Sequence, residues 1–316
     1  MSIAFTPVLE PVKQGLAFKH ILLATDFSEP SQRALTVALA LSRRYGSELL
    51  VVHAIPSAPK GPVPLDPLPL ELDREQIESE KEMRTFADAA ENSGVSYRTT
   101  IAHGRVWDVI SEEMTRNQTD LLVLGTHGRS ALKKLALGSV AEEVLRLADC
   151  PVLTVGPKVA PAGSRIAELR TVLFATDFGP ASARALPYAL ALAEESGARL
   201  VVVHMLPPMP LADAAYAPAV FAADDLLQWR LAMQAESQKK LRALIPPGSL
   251  SKEPIYVVGM DFLPEGIMTA AAEYDADLIV MGANRGTSAR VASHIPWALT
   301  HHVICEAHCP VMTLRA

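Results

Sequence analysis

The sequence repeats itself once, and this repeat restricts the possible folds more than any other feature. Four segments of the first half return in the second half in the same order. The pairs are KHILLATDFS (19–28) with RTVLFATDFG (170–179), LLVVHAI (49–55) with LVVVHML (200–206), DLLVLG (120–125) with DLIVMG (277–282), and CPVLTV (150–155) with CPVMTL (309–314). Copies of this length indicate a duplicated domain rather than a short-period solenoid. We therefore predict one domain over residues 1–156, a linker with glycine and proline over 157–169, and a second domain over 170–316.

Within each copy, short apolar runs alternate with longer amphipathic stretches, which is the pattern of a parallel sheet covered by helices. The strand runs are continuously apolar because both faces of such a sheet are buried. In the first copy we expect strands near 20–24, 49–53, 95–102, 121–125 and 152–155, and helices near 30–45, 73–93, 106–117 and 138–148. The predicted fold class is therefore α/β, with two tandem doubly wound parallel-sheet domains. Such a domain binds its ligand at the carboxyl ends of the strands, at the topological switch point.

Composition and charge exclude several classes of protein. Of the 316 residues, 49% are hydrophobic and 20% are charged, and the net charge is −6, as in an ordinary soluble globular chain. Acidic residues outnumber basic ones and no basic stretch is interleaved with aromatic residues, so we expect no nucleic-acid partner. No apolar run reaches the roughly 18 residues that span a bilayer, so we expect no membrane partner either. Three cysteines, an odd number, and no secretory signal in MSIAFTPVLEPVKQG favour a cytoplasmic location.

The stretch LGTHGRSALKKLALGSV (124–140) places glycines where a predicted strand ends and where the next helix begins. Backbone N–H groups at Gly128 and at the helix start, together with the helix dipole, favour a negatively charged group between them. Further donors and positive charges come from Ser139, Arg129, Lys133 and Lys134. This combination predicts a phosphate site. The alternative is that Gly125 and Gly128 only make a turn and that Ser139 is a helix N-cap.

Residues at the ends of the first three strands are candidates for binding the rest of a nucleotide. Asp26 can accept a hydrogen bond from a ribose hydroxyl or an adenine amino group, or can instead cap the following helix, and Asp177 has the same surroundings. The backbone of Ala54 can contact a base edge, and Gly104 lets a ligand approach. We expect His53 to be a packed, hydrogen-bonded histidine, because no acid or nucleophile pattern accompanies it.

In these motifs the chain resembles the universal stress protein family, and specifically its members with two such domains in one chain. The run Gly125-x2-Gly128-x9-Gly138-Ser139 matches the nucleotide-binding pattern of that family, and ATDFS, VVHAI, AHG and CPVLTV resemble its other landmarks in order. The resemblance implies five-stranded domains of the adenine nucleotide α-hydrolase-like type, packed as a pseudo-twofold pair in which the last strands meet. It also implies ATP, with or without Mg²⁺, as the ligand. By this resemblance Asp26 and Ala54 would face the adenosine, and Thr25 and Gly104 are further cofactor-binding candidates. The residues around the phosphates would be Gly125, Gly128, Arg129, Gly138, Ser139 and Val140.

The second copy departs from this nucleotide-binding pattern. Gly282 and Gly286 are one residue too far apart, and Trp297-Ala298 stands where the first copy has Gly138-Ser139. A tryptophan there removes the close approach of the backbone and fills space. We therefore expect the second site to bind ATP weakly or not at all.

A possible zinc site lies near the end of the chain, where His301, Cys305 and His308 follow one another at i, i+4 and i+7 and would share a helix face. The repeat argues against a metal role, because Cys309-Pro310 mirrors Cys150-Pro151 and the other residues align with ordinary helix positions. We favour the structural interpretation and expect no metal.

The function that the sequence favours is that of an ATP-binding stress protein, in which nucleotide occupancy is a regulatory signal that changes association with an unidentified protein partner. A slow ATPase and a nucleotide-free scaffold are the alternatives. No Walker A sequence, paired carboxylates or Ser/His/Asp arrangement accompanies the loop, so we expect at most a weak ATPase and assign no catalytic residue. Besides the intramolecular pseudo-dimer, a further homodimer stays open. The proline-rich stretch 56–72 is expected to be a surface connection rather than a lid.

Overall fold

Strands and helices alternate within each copy in the computed structural model, which describes residues 16–56, 69–126, 137–160, 165–206, 223–261, 263–283 and 297–316. The strands in these ranges are β1 (His20–Ala24), β2 (Glu48–Ile55), β3 (Tyr97–His103), β4 (Leu121–Gly125), β5 (Val152–Val155), β6 (Thr171–Ala175), β7 (Arg199–Met205), β8 (Ile255–Gly259), β9 (Leu278–Ala283) and β10 (Val311–Arg315). The helices are α1 (Glu29–Tyr45), α2 (Pro69–Asn92), α3 (Val106–Arg116), α4 (Ser139–Leu147), α5 (Pro180–Ser196), α6 (Ala223–Leu244), α7 (Leu263–Glu273) and α8 (Trp297–Glu306). The predicted α/β class with a parallel sheet in each copy is confirmed.

The helix bounds follow from local sequence signals, with one exception to the prediction. Helix α1 has Pro30 in its first turn and ends at Gly46, whose φ of 64° allows its N–H to bond the carbonyl of Ser42. Helix α2 begins at Pro69, four residues before the predicted start at 73. Proline is well suited to a first helical position, because it lacks the N–H that a helix start leaves unpaired. The last residues of the stretch 56–72 are therefore helical rather than part of a surface connection, and residues 57–68 lie outside the described residues.

The chain forms two compact units whose limits differ from the limits of the two sequence copies. One unit consists of residues 17–167 and 304–315, and the other consists mainly of residues 168–303. We call them the N-terminal unit and the C-terminal unit. Strand β10, although it ends the second copy, belongs to the N-terminal unit.

In the N-terminal unit the strand order is β3-β2-β1-β4-β5-β10, and in the C-terminal unit it is β9-β6-β7-β8. Strands β1 to β5 are mutually parallel where they pair, and so are β6 to β9. Strand β1 lies between β2 and β4, so the chain leaves β1 towards one side of the sheet while β4 lies on the other. The switch point of the N-terminal unit is therefore between the carboxyl ends of β1 and β4.

Strand β10 completes the sheet of the N-terminal unit by pairing antiparallel with β5. The register joins Val311 with Thr154 and Thr313 with Val152. The Thr154 hydroxyl donates to the Val311 carbonyl at 3.0 Å, and Arg315 reaches the Asp149 carboxylate at 2.6 Å. The expectation that the last strands of the two copies meet is confirmed.

The core of each unit is formed by the strands and by the helix faces that cover them. Leu121, Leu122 and Val123 of β4 are fully buried, and so are Leu278, Ile279 and Val280 of β9. Burial on both faces explains why these strands are continuously apolar in sequence. Within the described ranges, we find no helix with the length and apolar character needed to cross a membrane.

Candidate functional site

The loop between β1 and α1 is held by a network centred on Asp26. The Oδ1 atom of Asp26 accepts hydrogen bonds from the Ser28 amide at 3.1 Å, the Ser28 hydroxyl at 2.6 Å and the Ser31 hydroxyl at 2.6 Å. The Thr25 hydroxyl accepts the amide of Phe27 at 2.9 Å, and Phe27 has a φ of 63°. A positive φ is unusual for a bulky residue, so the surrounding contacts must hold this turn in place. Asp26 thus organises the loop before α1, but it does not cap the helix, because the N-cap is Ser28 and no side chain makes a capping bond.

The corresponding loop of the second copy has nearly the same contacts. Asp177 accepts the Gly179 amide at 2.8 Å and the Ser182 hydroxyl at 2.7 Å, and the Thr176 hydroxyl accepts the amide of Phe178 at 3.0 Å. The φ of Phe178 is 61°. Because this copy lacks the complete glycine motif, the shared network has a structural role that does not depend on nucleotide.

His53 is a packed histidine, as predicted. Its Nδ1 atom lies 2.8 Å from the carbonyl oxygen of Thr25, and its ring lies 4.4 Å from the ring of Phe27, measured between centroids. Because a carbonyl only accepts, Nδ1 carries the hydrogen in this bond. The histidine thereby joins the end of β2 to the end of β1 and helps to fix the Thr25 carbonyl.

Ala54 and Gly104 lie at the same carboxyl edge of the sheet as Thr25 and Asp26. Ala54 is buried near the end of β2 and is in register with Ala102 of β3. The amide of Gly104, which follows β3, donates to the Ile55 carbonyl at 3.0 Å. The structure therefore brings the four residues proposed for the nucleoside end to the ends of three neighbouring strands.

Gly125, at the end of β4, is a glycine because α1 passes against it. A Cβ atom built there would lie 2.8 Å from the carbonyl carbon of Pro30 and 2.9 Å from its Cβ. At Gly282, the corresponding residue of β9, a Cβ would lie 2.4 Å from the amide nitrogen of Ser182. Both copies keep this close approach, including the copy with the altered motif. The missing side chain of Gly125 is thus explained by packing of strand against helix.

The start of α4 bears on both interpretations of the glycine motif. The alternative named Ser139 as the N-cap and is wrong on this point, because the N-cap is Gly138, with φ −64° and ψ 148°, which has no side chain to cap the helix. The amide of Gly138 is not vacant, because it donates to the Thr126 carbonyl at 2.8 Å. The amides of Ser139, Val140 and Ala141 precede the first intrahelical bond, which runs from Glu142 to Gly138. These three amides, and not that of Gly138, are the donors that the helix start offers.

The remaining candidates for phosphate contacts cannot be placed. Gly128, Arg129, Lys133 and Lys134 lie outside the described residues. The described residues Thr126 and Gly138, on either side of this segment, are joined by a hydrogen bond beside the start of α4.

Arg105 is a basic residue close to α4 that the sequence analysis did not select. It forms an ion pair with Glu143 of α4 and lies 3.6 Å from Asp108. Its side chain is largely exposed, so screening by solvent leaves this pair little net energy. The only signal in the sequence is its place directly after Gly104.

Among the described residues, the carboxyl group with a raised pKa is Asp120, and it lies at the other edge of the sheet. Burial raises its pKa, while the amides of Lys19 and His20 donate to it and act in the opposite direction. Asp120 thereby joins the start of β4 to the start of β1, as Asp277 joins β9 to β6 through the amides of Arg170 and Thr171. The raised pKa of Asp120 therefore comes from its structural role in joining two strands.

The suggested zinc ligands do not share one helix face. Helix α8 ends at Glu306, so His308 lies beyond it. Cys305 is buried and His308 is exposed, so the two side chains lie in different environments. In the ranges that the structure covers, no three His, Cys, Asp or Glu residues are grouped closely enough to hold a metal ion.

Comparisons with known proteins assign the chain to a family. The sequence model of the universal stress protein family matches residues 17–156 and again residues 168–315. The universal stress protein in QAH/OAS sulfhydrylase 3'region of Thermus aquaticus is 37% identical over 141 residues, which are 44% of this chain and 98% of that protein. A crystal structure of a universal stress protein from Archaeoglobus fulgidus DSM 4304 has a TM-score of 0.63 at 22% identity, and the match covers 95% of this chain and 99% of that one.

A universal stress protein solved in complex with cAMP is 24% identical over 44% of this chain and 98% of that chain, with a TM-score of 0.36. The family model matches twice and leaves out only the two ends and a short segment in the middle. The matches follow the order of the internal repeat. The chain is therefore a tandem, two-domain member of the universal stress protein family.

Proposed function

We propose that the N-terminal domain, residues 1–156, binds an adenine nucleotide, ATP with or without Mg²⁺, and that its occupancy regulates association with a protein partner. The observation that carries this proposal is the uncapped start of α4 beside the switch point between β1 and β4. Helix starts offer amide donors and a positive dipole end to phosphate oxygens. Glycine at the N-cap lets a phosphate approach the backbone without meeting a side chain.

In this proposal the two ends of the nucleotide meet different parts of the sheet edge. The amides of Ser139 and Val140, together with the exposed Ser139 hydroxyl, bind phosphate oxygens, with Gly128 and Arg129 of the neighbouring segment. Asp26 and the backbone of Ala54 face the adenosine. Gly125 contributes only by letting α1 lie against β4.

The residues present fit this ligand at both ends. Ser139 is exposed at the first position of α4, and the N-cap before it, Gly138, has no side chain that could compete for the amides. Ala54 has the smallest side chain that a strand position normally carries, and its neighbour in register, Ala102, is equally small. When ATP is bound, its triphosphate supplies the negative charge that the amides and Arg129 would stabilise.

Equilibrium titration of the full chain with ATP, ADP and cAMP tests the proposal. We expect one equivalent of ATP per chain, because only the first copy has the complete motif. G138D should raise the Kd for ATP at least tenfold, because its carboxylate would cap α4 and repel phosphate. L147D adds the same charge at the far, exposed end of the same helix and should leave the Kd unchanged. Equal losses in the two variants, or no binding by the wild-type chain, would reject the site.

The two alternative functions predict different results for the wild-type chain and the G138D variant. A slow ATPase would release phosphate at a rate that disappears in G138D. A nucleotide-free scaffold would bind no ATP at millimolar concentration yet retain its partner. The regulatory proposal requires ATP binding together with a partner affinity, or a chain-to-chain association, that differs between the occupied and empty states.

We also propose a cytoplasmic location and the domain limits 1–156 and 170–316 with a linker over 157–169. The three cysteines are all free thiols, as expected in a reducing compartment. Val159 and Ile166 within the linker are buried and pack against the fold, whereas Lys158, Ala160 and Arg165 are exposed.

A further inference from the structure

Three positions at the edge of the sheet differ between the copies in a compensating way. Two of them face each other on neighbouring strands, since Ala54 is in register with Ala102 in the first copy and Met205 with Gly259 in the second. The third position lies seven residues after Ala102 or Gly259, on α3 in the first copy and on α7 in the second. From the first copy to the second, one of the three side chains becomes larger and the other two become smaller. The three pairs are Ala54 and Met205, Ala102 and Gly259, and Val109 and Gly266.

The Met205 side chain fills the space that the two glycines leave. A Cβ atom on Gly259 would lie 2.3 Å from the Met205 sulfur, and a Cβ on Gly266 would lie 2.6 Å from the same atom. Only 5% of Met205 is exposed. The thioether therefore sits between β8 and α7, and a side chain on either neighbour would force it to move.

Met205 also lines the cleft that corresponds to the proposed adenosine end. Thr176, Asp177 and His204 line the same cleft, together with Leu263 of α7. These residues correspond to Thr25, Asp26, His53 and Val106 of the first copy. The cavity between these residues measures about 10 Å³, which is about what a single water molecule needs. With Met205 in this position, the space between these residues does not hold an adenine ring.

We propose that Met205 is an internal stopper, which closes the adenine end of the cleft in the C-terminal unit, and that the residue at this position decides which copy accepts a base. Methionine suits this role because its flexible thioether fills irregular gaps. The inference rests on the proposed nucleotide site of the first copy. It places the loss of the second site at the base end as well, independently of Trp297 at the phosphate end.

Transfer of the three residues into the first copy is the direct test. The variant A54M/A102G/V109G should raise the Kd for ATP at least tenfold, because the transferred methionine then occupies the base end with the room that it needs. The variant M205L, which changes the shape of the second copy at nearly constant volume, should bind ATP as the wild-type chain does. A wild-type Kd in a folded A54M/A102G/V109G chain would overturn the proposal.

A double-mutant cycle of thermal stability, measured without nucleotide, tests whether the Met205 side chain fills the space beside Gly259. G259A should lower the Tm by about 2–4 °C, because its Cβ displaces the sulfur, and M205A/G259A should lose no more than M205A alone. Additive losses would show that Met205 does not fill this space and would overturn the proposal. If the wild-type chain binds no ATP while the cycle shows coupling, the proposed function fails but Met205 still closes the cleft. The two failures are therefore distinguishable, even where the triple variant does not fold.

Discussion

Gly125 gives the sharpest test of how the sheet edge is built, because its two possible roles predict opposite results for G125A. If the glycine admits a ligand, alanine should weaken nucleotide binding and leave stability unchanged. If it admits α1, alanine should lower stability first. The structure supports the second role, since the added Cβ would meet the Pro30 carbonyl carbon at 2.8 Å, its Cβ at 2.9 Å and its carbonyl oxygen at 3.0 Å.

The size of the effect follows from these distances. Carbon atoms in favourable contact lie about 3.5–4.0 Å apart, so α1 must move away from β4 by about 0.5–1 Å. Overpacking of this kind costs about 1–3 kcal/mol. Alanine offsets about 0.4–1 kcal/mol of this by lowering the entropy of the unfolded chain. We expect the free energy of unfolding to fall by about 1–2 kcal/mol. G282A should lie at the upper end of the range, because its contacts are 2.4, 2.5 and 2.7 Å and two of them are with main-chain atoms.

Urea unfolding gives the size of the loss, and hydrogen exchange shows where it occurs. G125A should speed exchange at the first turns of α1 and in β4, while the Kd for ATP changes less than threefold. G46A is the control, because Gly46 has nothing within 4 Å of its added Cβ and a φ of 64°, so its cost is conformational and lies at the other end of α1. A G125A chain as stable as the wild type but unable to bind ATP would refute the packing argument.

Three further predictions concern the same fold. D26A and D177A should each lower stability by about 1–3 kcal/mol in urea unfolding, because each removes the acceptor of a part-buried hydrogen-bond network. Only D26A should also raise the Kd for ATP, and equal Kd values in the two variants would contradict a ligand role for Asp26. G138D should raise stability by about 0.5–1 kcal/mol while it weakens ATP binding, since it supplies the cap that α4 lacks; a loss of stability would mean that the helix start cannot accept a cap. Burial raises the pKa of the Cys150 thiol from 9.0 to about 12, so unfolding releases a proton in this range and stability should fall between about pH 9 and pH 12. C150S should remove that part of the decline in the urea midpoint, and an unchanged decline would assign it to other groups.

Most of the features of the fold that could be predicted from the sequence are those that local sequence patterns specify. Strands β1, β4 and β5 have the predicted bounds, because apolar runs and flanking turn residues are local signals. The meeting of the last strands of the two copies followed from the resemblance to a family, whereas the order of the other strands was not predicted. The early start of α2 at Pro69 was missed because proline in a proline-rich stretch indicates a loop as readily as a first helical turn.

The candidate site was harder to predict, because its decisive contacts join residues that are far apart in the chain. Gly125 attracted attention as part of a glycine motif, but the atom that excludes its side chain belongs to Pro30, almost a hundred residues earlier. The bond between Gly138 and Thr126 spans a segment whose length gives no hint that its ends meet. The compensation around Met205 was visible in principle, since aligning the two copies places Ala54 opposite Met205, but only the register of β8 shows that Gly259 is its neighbour.

The placement of β10 limits how the protein can be divided. A fragment that ends after β5 would lose its antiparallel neighbour and expose an unpaired row of backbone donors and acceptors. Such an edge can be satisfied by the same edge of another fragment, running in the opposite direction about a twofold axis. A separately expressed first half should therefore self-associate, and ligand affinities should be measured on the undivided polypeptide.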